Sequence, residues 1–182
     1  MTGAVVLAAG ASSRMGRPKA SLVDRDGRTF LEAIRAVLRA SGVDVVRVVV
    51  AEGDAAETVV NPDPGRGMLS SVQCGIRALP PDVDALLLWP VDHPLVKTET
   101  VKQILAAHRD TETTVVVPVH AGRRGHPVLF ANGAIAELLA ADATVGARQV
   151  VHAHADRLEL PVSDPGVVTD IDTPEDYRRI FG

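Results

Sequence analysis

Two cations follow a run of small residues near the start of the chain, and this arrangement suits the binding of phosphate groups. The apolar stretch Val5–Ala9 ends at Gly10, serines follow, and Arg14 and Lys19 come next. The pattern predicts a buried strand that opens into a loop whose backbone can approach a phosphate closely. Arginine and lysine supply the opposite charge. The segment therefore indicates nucleotide binding. The alternative interpretation is an ordinary strand-to-helix turn that carries surface cations.

Two well-known phosphate-binding loops do not fit this segment. A P-loop needs a lysine directly after its second glycine, but Gly16 is followed by Arg17 and Pro18. The dinucleotide fingerprint needs a glycine where this chain has Ser12. The loop must therefore belong to another class of nucleotide-binding protein.

Asp92 is the first candidate for a metal ligand. It follows the apolar run that ends at Trp89, and it lies between Pro90 and Pro94, which predicts a stiff turn. Mg²⁺ takes one or two protein carboxylates and completes its shell with phosphate oxygens and water. The alternative is that Asp92 caps the next helix, and taken alone the turn does not decide between them.

Asp172 is the second candidate. In an extended segment, Asp170 and Asp172 point to the same side. Asp172 also stands just before Thr173-Pro174, where proline at the first position predicts the start of a helix. From the residues alone, capping of that helix is the better explanation for Asp172.

Two further polar segments and the cysteine also carry groups that could take part in chemistry. The segment 61–71 mixes proline and glycine and ends at a predicted helix N-terminus, where N–H groups favour polar or anionic ligands, although Ser70 could be a plain N-cap. The cationic segment 123–127 carries Arg124 and His126, for which simple solvation is the alternative. Cys74 is the single cysteine, so no internal disulfide can form, and we expect it to be buried and unreactive.

The composition limits the functional class. The chain has 182 residues with 46% hydrophobic and 3% aromatic content, which predicts one domain (1–182) with an aliphatic core. The net charge of -4 without long runs of one sign argues against a nucleic-acid partner. Apolar runs are too short for a membrane span, and the N-terminal residues lack the pattern of a secretory signal. We therefore expect a cytoplasmic protein.

Apolar runs alternate with helical periods along the chain, which predicts an α/β fold with a mostly parallel sheet. Strands are predicted at 3–9, 43–51, 59–60, 83–89, 114–119, 127–130 and 158–162, and helices at 29–40, 68–79, 98–108, 132–140 with Asn132 as cap, and from 173 onward. Ligands bind beyond the carboxyl ends of strands in such sheets. Since the polar segments 10–19, 61–71, 90–94 and 170–172 each follow a strand, they should meet in one cleft.

The motifs, taken together, carry a family resemblance over nearly the whole chain. They are L-A-A-G-x-S-x-R-M-G-x-P-K (7–19), G-M-x-S-S (67–71), P-V-D-H-P (90–94), R-G-H-P-V (124–128) and D-I-D-T-P-E-D (170–176). In this order they resemble the molybdenum cofactor cytidylyltransferases of the MobA-like nucleotidyltransferase superfamily. The resemblance implies a three-layer Rossmann-like fold, and Mg²⁺-dependent transfer of CMP from CTP to molybdopterin with release of pyrophosphate.

The resemblance also implies roles for individual residues. Asp92 and Asp172 would hold Mg²⁺, while Arg14, Lys19 and Asp92 would be catalytic, and Arg124 and His126 would bind the acceptor. The residues expected to bind the nucleotide are Leu7, Ala8, Ala9, Gly10, Ser12, Arg14, Gly16, Lys19, Asn61, Gly67, Ser70 and Ser71. A molybdoenzyme, or the chaperone that matures it, is the expected protein partner.

Two alternatives stay open at this point. A related transferase would use GTP, or pass the nucleotide to a sugar or alcohol phosphate. A protein that is not an enzyme would bind the nucleotide or cofactor without turnover, but this second reading predicts loss of the metal-binding acids, and both Asp92 and Asp172 are present.

Overall fold

The computed structural model describes residues 1–10, 12–53, 58–142 and 146–182. The strands are β1 (Thr2–Leu7), β2 (Val45–Val50), β3 (Val59–Val60), β4 (Ala85–Pro90), β5 (Val115–His120), β6 (Arg123–Arg124), β7 (Val128–Ala131) and β8 (Leu158–Pro161). The helices are α1 (Phe30–Ala40), α2 (Met68–Arg77), α3 (Thr98–Thr111), α4 (Gly133–Ala140), α5 (Ala147–Ala153) and α6 (Pro174–Phe181). Short 3₁₀ turns cover Lys19–Ser21, Pro64–Arg66 and Pro165–Val168.

One mostly parallel sheet organises these elements. Its strands lie in the order β3-β2-β1-β4-β7-β5-β6, and β8 pairs with β5. The pairs β1–β2, β1–β4, β2–β3 and β5–β8 are parallel, whereas β7 runs antiparallel to both β4 and β5. The carboxyl ends of β1, β2 and β4 therefore open on the same edge of the sheet, which confirms the predicted fold class.

Helices cover both faces of the sheet and give it three layers. Val6 of β1 belongs to a core cluster that includes α1 and α3 side chains, while its neighbour Val5 packs with α2 and α4. Successive residues of a strand point to opposite faces, so a strand buried on both sides must be apolar throughout. The uninterrupted valine and leucine runs of β1 and β4 follow from this requirement.

The boundaries of α1 show local signals at work. The Thr29 hydroxyl accepts a hydrogen bond from the Glu32 amide, and the Glu32 carboxylate accepts one from the Thr29 amide in return. The helix ends at Ala40, and Gly42 follows with a φ of 78°, which glycine adopts without strain. Both ends of the helix agree with the prediction.

Other boundaries differ from the sequence predictions. Asn132 occupies the predicted N-cap position of α4, but its side chain makes no capping hydrogen bond and its φ is 47°. Helix α3 extends to Thr111, three residues beyond its predicted end. The short helix α5 was not predicted. Among the described residues, no helix combines the length and the apolar character that crossing a bilayer requires.

Candidate active site

The predicted polar segments meet at one cavity of about 460 Å³ beyond the carboxyl ends of β1 and β4. This volume lies within the rough range of 300–1,000 Å³ for small-molecule sites. The cavity is lined by Leu7, Ala8, Ala9, Gly10, Ser12, Ser13, Arg14, Lys19, Pro64, Met68, Ser71, Pro90, Val91, Asp92 and Asp172. Four segments that are far apart in sequence thus contribute to one wall, as strand direction predicts.

The loop after β1 is folded back on itself around Ser12. The Ser12 carbonyl accepts hydrogen bonds from the amides of Met15 and Gly16, at 2.9 and 3.1 Å. Its hydroxyl accepts one from the Lys19 amide at 3.3 Å, which fixes the start of the Lys19–Ser21 turn. Ser12 has a φ of 46°, an uncommon value for a residue with a side chain. Ala11 of this loop lies outside the described residues, and Gly16 is not among those that line the cavity.

The central feature of the cavity is one ammonium group held by two acids. The Lys19 Nζ lies 3.0 Å from Asp92 Oδ2 and also forms an ion pair with Asp172 Oδ1. Asp172 receives a second cation, because Arg14 Nη2 lies 2.9 Å from its Oδ2. The side chains of Lys19, Asp92 and Asp172 are 15%, 22% and 25% exposed, whereas that of Arg14 is 69% exposed. Two carboxylates therefore face a common cation at the cavity wall.

The electrostatics keep this group ionised. Burial disfavours the charged Asp92 carboxylate, but hydrogen bonds from His93 and Lys19 outweigh burial and hold the pKa of Asp92 well below its usual range. Burial likewise disfavours the Lys19 ammonium, yet its hydrogen bonds to Asp172 and Asp92 raise the pKa of Lys19. Both members of the Lys19–Asp92 pair are therefore charged at neutral pH.

Backbone contacts bring the two acids together. The Ile171 amide donates to the Asp92 carbonyl at 2.9 Å, which places Asp172 beside Asp92. The turn after β4 is fixed by the Trp89 indole, whose Nε1–H donates to the His93 carbonyl at 3.1 Å. Asp170, by contrast, is exposed and does not line the cavity.

Neither acid is a helix cap, so the capping alternatives for both were wrong. Helix α3 begins at Thr98, six residues beyond Asp92, and its N-cap position is Lys97. In α6 the cap is Thr173, whose hydroxyl accepts from the Asp176 amide while the Asp176 carboxylate accepts from the Thr173 amide. The carboxylate of Asp172 is thereby left to face the cavity.

A buried amide organises the start of α2. The Asn61 Nδ2 donates to the hydroxyls of Ser70 and Ser71, at 2.8 and 2.9 Å. Gly67 occupies the N-cap position of α2, so the alternative that Ser70 is an N-cap was wrong. Of these residues Ser71 lines the cavity, whereas Asn61, Gly67 and Ser70 are not part of its lining. Cys74, further along α2, is half-buried rather than buried.

The two predicted acceptor residues lie outside the cavity lining. The Arg124 guanidinium forms a double hydrogen bond with Glu159 Oε1, at 2.6 and 2.9 Å, on β6 at the sheet edge. The His126 ring instead packs behind the turn that carries Asp92, with its centroid 4.9 Å from that of His93. Neither residue therefore lines the cavity: Arg124 is paired at the sheet edge, whereas His126 lies behind the turn that carries Asp92.

Sequence reasoning missed several contributors. Ser13, Pro64, Met68, Pro90 and Val91 line the cavity although they were not predicted as site residues, and Met68 is 60% exposed there. Their positions next to predicted residues were the available signal.

A further missed residue, Asp164, acts at a distance from the cavity. Its buried carboxylate accepts from the amides of Lys97 and Gly166 and from the Thr100 hydroxyl. These bonds fix the segment that leads to Asp172, and no local pattern marks the role.

Comparison with known proteins identifies the family. The model of the MobA-like NTP transferase domain matches residues 4–158. A nicotine blue oxidoreductase of Paenarthrobacter nicotinovorans is 31% identical over 97% of this chain and 95% of its own length. A molybdenum cofactor guanylyltransferase of Xanthomonas euvesicatoria pv. vesicatoria is 32% identical over 97% and 93%.

Solved structures agree with this match. The crystal structure of Rv0371c from Mycobacterium tuberculosis H37Rv superimposes with a TM-score of 0.82, at 30% identity over 99% of this chain and 96% of that one. Its complex with manganese gives a TM-score of 0.77 at 29% identity, over 99% and 97%. The chain therefore belongs to the MobA-like NTP transferases, a family of nucleotidyltransferases.

Proposed function

We propose that this protein transfers CMP from CTP to molybdopterin, releases pyrophosphate and yields molybdopterin cytosine dinucleotide. The observation that carries the proposal is the pair Asp92 and Asp172: both acids contact the ammonium of Lys19, and Asp172 also contacts Arg14 of the same loop. Negative groups for a divalent metal and positive groups for a triphosphate are thereby side by side in one cavity. We propose that residues 1–182 act as a single domain, in the cytoplasm.

The residues fit a divalent cation as cofactor. Both carboxylates already reach the same ammonium nitrogen, so they can reach the same metal ion. Within the described part of the chain, no group of three His, Cys, Asp or Glu residues could hold a metal. A cation bound here would need phosphate oxygens and water to complete its shell, which is the habit of Mg²⁺. The manganese complex of the similar Rv0371c supports a divalent cation, and we propose Mg²⁺.

The chain's own residues would bind and orient the triphosphate. Lys19 and Arg14 would donate to phosphate oxygens, together with main-chain N–H groups of the loop that starts at Gly10. When bound, Mg²⁺ would neutralise phosphate charge and act as a Lewis acid. The attacking group is a phosphate oxygen of the acceptor, already anionic, so the site needs no general base. Catalysis is then mainly positioning and charge stabilisation.

The remaining predicted nucleotide residues would act in two ways. Ser71 lines the cavity and would contact the nucleotide directly. Asn61 would act through its hydrogen bond to Ser71, and Gly67 and Ser70 through the shape of the first turn of α2. Arg124 keeps its proposed acceptor role only if the acceptor displaces it from Glu159.

The identity of the base is tested by the products. Purified protein is incubated with molybdopterin, Mg²⁺ and one nucleoside triphosphate at a time, and the products are identified by their masses in mass spectrometry. The cytosine dinucleotide formed from CTP alone supports the proposal. The guanine dinucleotide would show that this chain shares the activity named for the relative from Xanthomonas. Replacing molybdopterin by sugar or alcohol phosphates tests the other acceptors.

Two further outcomes would point to other classes of function. Tight CTP binding without pyrophosphate in a single-turnover assay would favour a protein that only binds nucleotide. A relative that matches 97% of this chain is named nicotine blue oxidoreductase, so an oxidoreductase activity is a second candidate and should be assayed in parallel, with NADH and NADPH tried as hydride donors. The paired acids favour the transferase, because hydride transfer has no need of a divalent cation held beside phosphate-binding cations.

We propose a molybdoenzyme or its maturation chaperone as the protein that receives the product.

A further inference from the structure

The carboxylate of Asp92 is shared between the cavity and a histidine behind it. Its Oδ2 faces Lys19 at 3.0 Å, whereas its Oδ1 lies 2.9 Å from Nδ1 of His93. An ionised carboxylate only accepts hydrogen bonds, so the His93 Nδ1–H is the donor. This bond fixes the rotation of the carboxylate and directs Oδ2 into the cavity. His93 itself is 12% exposed and does not line the cavity.

The His93 ring is in turn held from behind by His126. The two rings meet edge to face, with an interplanar angle of 66° and 4.9 Å between centroids. The backbone of His93 is also fixed, because its carbonyl accepts from Trp89 and its amide donates to the Pro90 carbonyl at 3.2 Å. The ring therefore has neighbours that hold it in the orientation that reaches Asp92.

His126 is anchored to the segment that carries the second acid. Its amide donates to the Val167 carbonyl at 2.8 Å. At the preceding Gly125, a Cβ atom would lie 2.2 Å from the same carbonyl oxygen, so only glycine permits this approach. Four residues after Val167, the Ile171 amide bonds to the Asp92 carbonyl. The R-G-H-P segment is thus built into the support of both acids.

We propose that His93 and His126 are positioning residues for the metal-binding carboxylate of Asp92, His93 by direct hydrogen bond and His126 by holding the His93 ring. The inference rests on the proposed function in one respect, that Asp92 binds a divalent cation. It replaces the acceptor-binding role that the resemblance implied for His126. Groups that orient a metal ligand in this way typically change metal affinity or activity by roughly 10–100-fold when they are removed.

The test measures the metal-dependent part of nucleotide affinity, without turnover. Calorimetry gives the dissociation constants of CTP and of GTP, each measured once with Mn²⁺ and once with EDTA. For each nucleotide, the constant with EDTA divided by the constant with Mn²⁺ is the metal-dependent gain. His93→Ala should lower this gain about tenfold and leave the EDTA value unchanged. His126→Ala should lower it by a smaller factor. His152→Ala, at an exposed position of α5, is the matched control and should change nothing.

Conservative variants separate positioning from general loss of structure. His93→Asn retains an N–H donor near the position of Nδ1, and His126→Phe retains a ring against His93, so each should recover most of the gain. If an alanine variant fails to fold, the conservative variant is compared with wild type instead: a gain close to that of wild type supports the inference, and a loss of about tenfold overturns it. Equal loss in the conservative and alanine variants would overturn the inference.

Other results would also overturn it, and they can be told apart. If His93→Ala leaves the gain intact while wild-type protein binds the nucleotide, the positioning role is wrong and the proposed function stands. If His126→Ala raises the KM of the acceptor with the gain unchanged, His126 binds the acceptor after all. If neither nucleotide binds to wild-type protein, the proposed function fails and this inference fails with it.

Discussion

Replacing Lys19 with methionine should strengthen the binding of a divalent cation to the nucleotide-free protein. The Lys19 ammonium lies between Asp92 and Asp172, at the position from which both carboxylates can be reached. A metal ion that uses both acids must displace it. Methionine has a similar length without the charge, so the variant removes the competitor and leaves the two acids in place.

The geometry sets the size of the effect. At the 3.0 Å that separates Nζ from Asp92 Oδ2, unit charges attract by about 5.5 kcal/mol at an effective dielectric constant of about 20. The displaced ammonium regains water, which reduces the net cost of displacement to the ~1.5–3 kcal/mol of a charge-assisted hydrogen bond. Since 1.36 kcal/mol corresponds to about a factor of ten, the expected gain in metal affinity is roughly 10–100-fold. The same variant should lose about 3 kcal/mol of transition-state stabilisation, because the ammonium that we propose to bind phosphate is gone.

Electron paramagnetic resonance of free Mn²⁺ measures this affinity directly. Lys19→Met should bind Mn²⁺ more tightly than wild type, and Lys102→Met, an exposed lysine of α3, should match wild type. A second measurement needs only wild-type protein: the chain has three lysines, and Mg²⁺ should shift the Nζ resonance of Lys19 but not those of Lys97 and Lys102. Equal or weaker Mn²⁺ binding by Lys19→Met would refute the reasoning, as would a Lys19 resonance that Mg²⁺ leaves unmoved.

Three further predictions concern the ionisation of Asp92, the role of Asp172 and the packing of α2 on the sheet. The folded-state pKa of Asp92 lies below its ordinary value of 3.8, so ionised Asp92 stabilises the fold above that value and its contribution is lost as the pH falls below it. Urea unfolding should therefore show a constant stability difference between wild type and Asp92→Asn from about pH 7 to about pH 5, and a difference that shrinks as the pH is lowered further to about 3; a difference that stays constant over the lower range would contradict it. Asp172→Asn should abolish pyrophosphate release with an unchanged circular dichroism spectrum, and retained turnover would remove Asp172 from the site. Gly75→Ala should destabilise the protein by about 1–3 kcal/mol, since the new Cβ would lie 2.5 Å from a Val5 methyl, while Gly133→Ala, where nothing lies within 4 Å, should be neutral in the same urea titration.

Much of the fold could be predicted because its signals are local. The apolar runs of β1 and β4 are readable as strands buried on both faces, and the Thr29–Glu32 capping box marks the start of α1. The meeting of the polar segments followed from a rule about strand ends rather than from any single residue. Helix α5 was not predicted because its signals are weak. Its N-cap residue, Gly146, has no side chain that could cap it, and its seven residues include only two adjacent valines.

The positions of individual site residues were harder to predict because they depend on packing between distant segments. His126 lies behind Asp92 because its amide bonds to Val167, 41 residues later in the chain. Gly166 lets its segment approach Leu95 closely because it has no side chain: a Cβ atom there would lie 2.4 Å from the Leu95 carbonyl oxygen. Contacts of this kind leave no periodicity in the sequence, so a motif that includes His126 predicts its importance but not its neighbours.

Which nucleotide base the cavity binds is hard to predict from the residue types for a related reason. Of the cavity-lining residues that the structure describes, none carries a side-chain amide, and the charged side chains, Arg14, Lys19, Asp92 and Asp172, are joined in one ion-paired cluster. Under the proposed function that cluster is committed to phosphates and metal. Cytosine and guanine must then be distinguished by main-chain N–H and C=O groups, by serine hydroxyls and by the shape of the cavity. Main-chain groups are the same in every sequence, so the choice of base depends on backbone geometry and on where the loop and α2 place these serines, rather than on residue types that a motif displays.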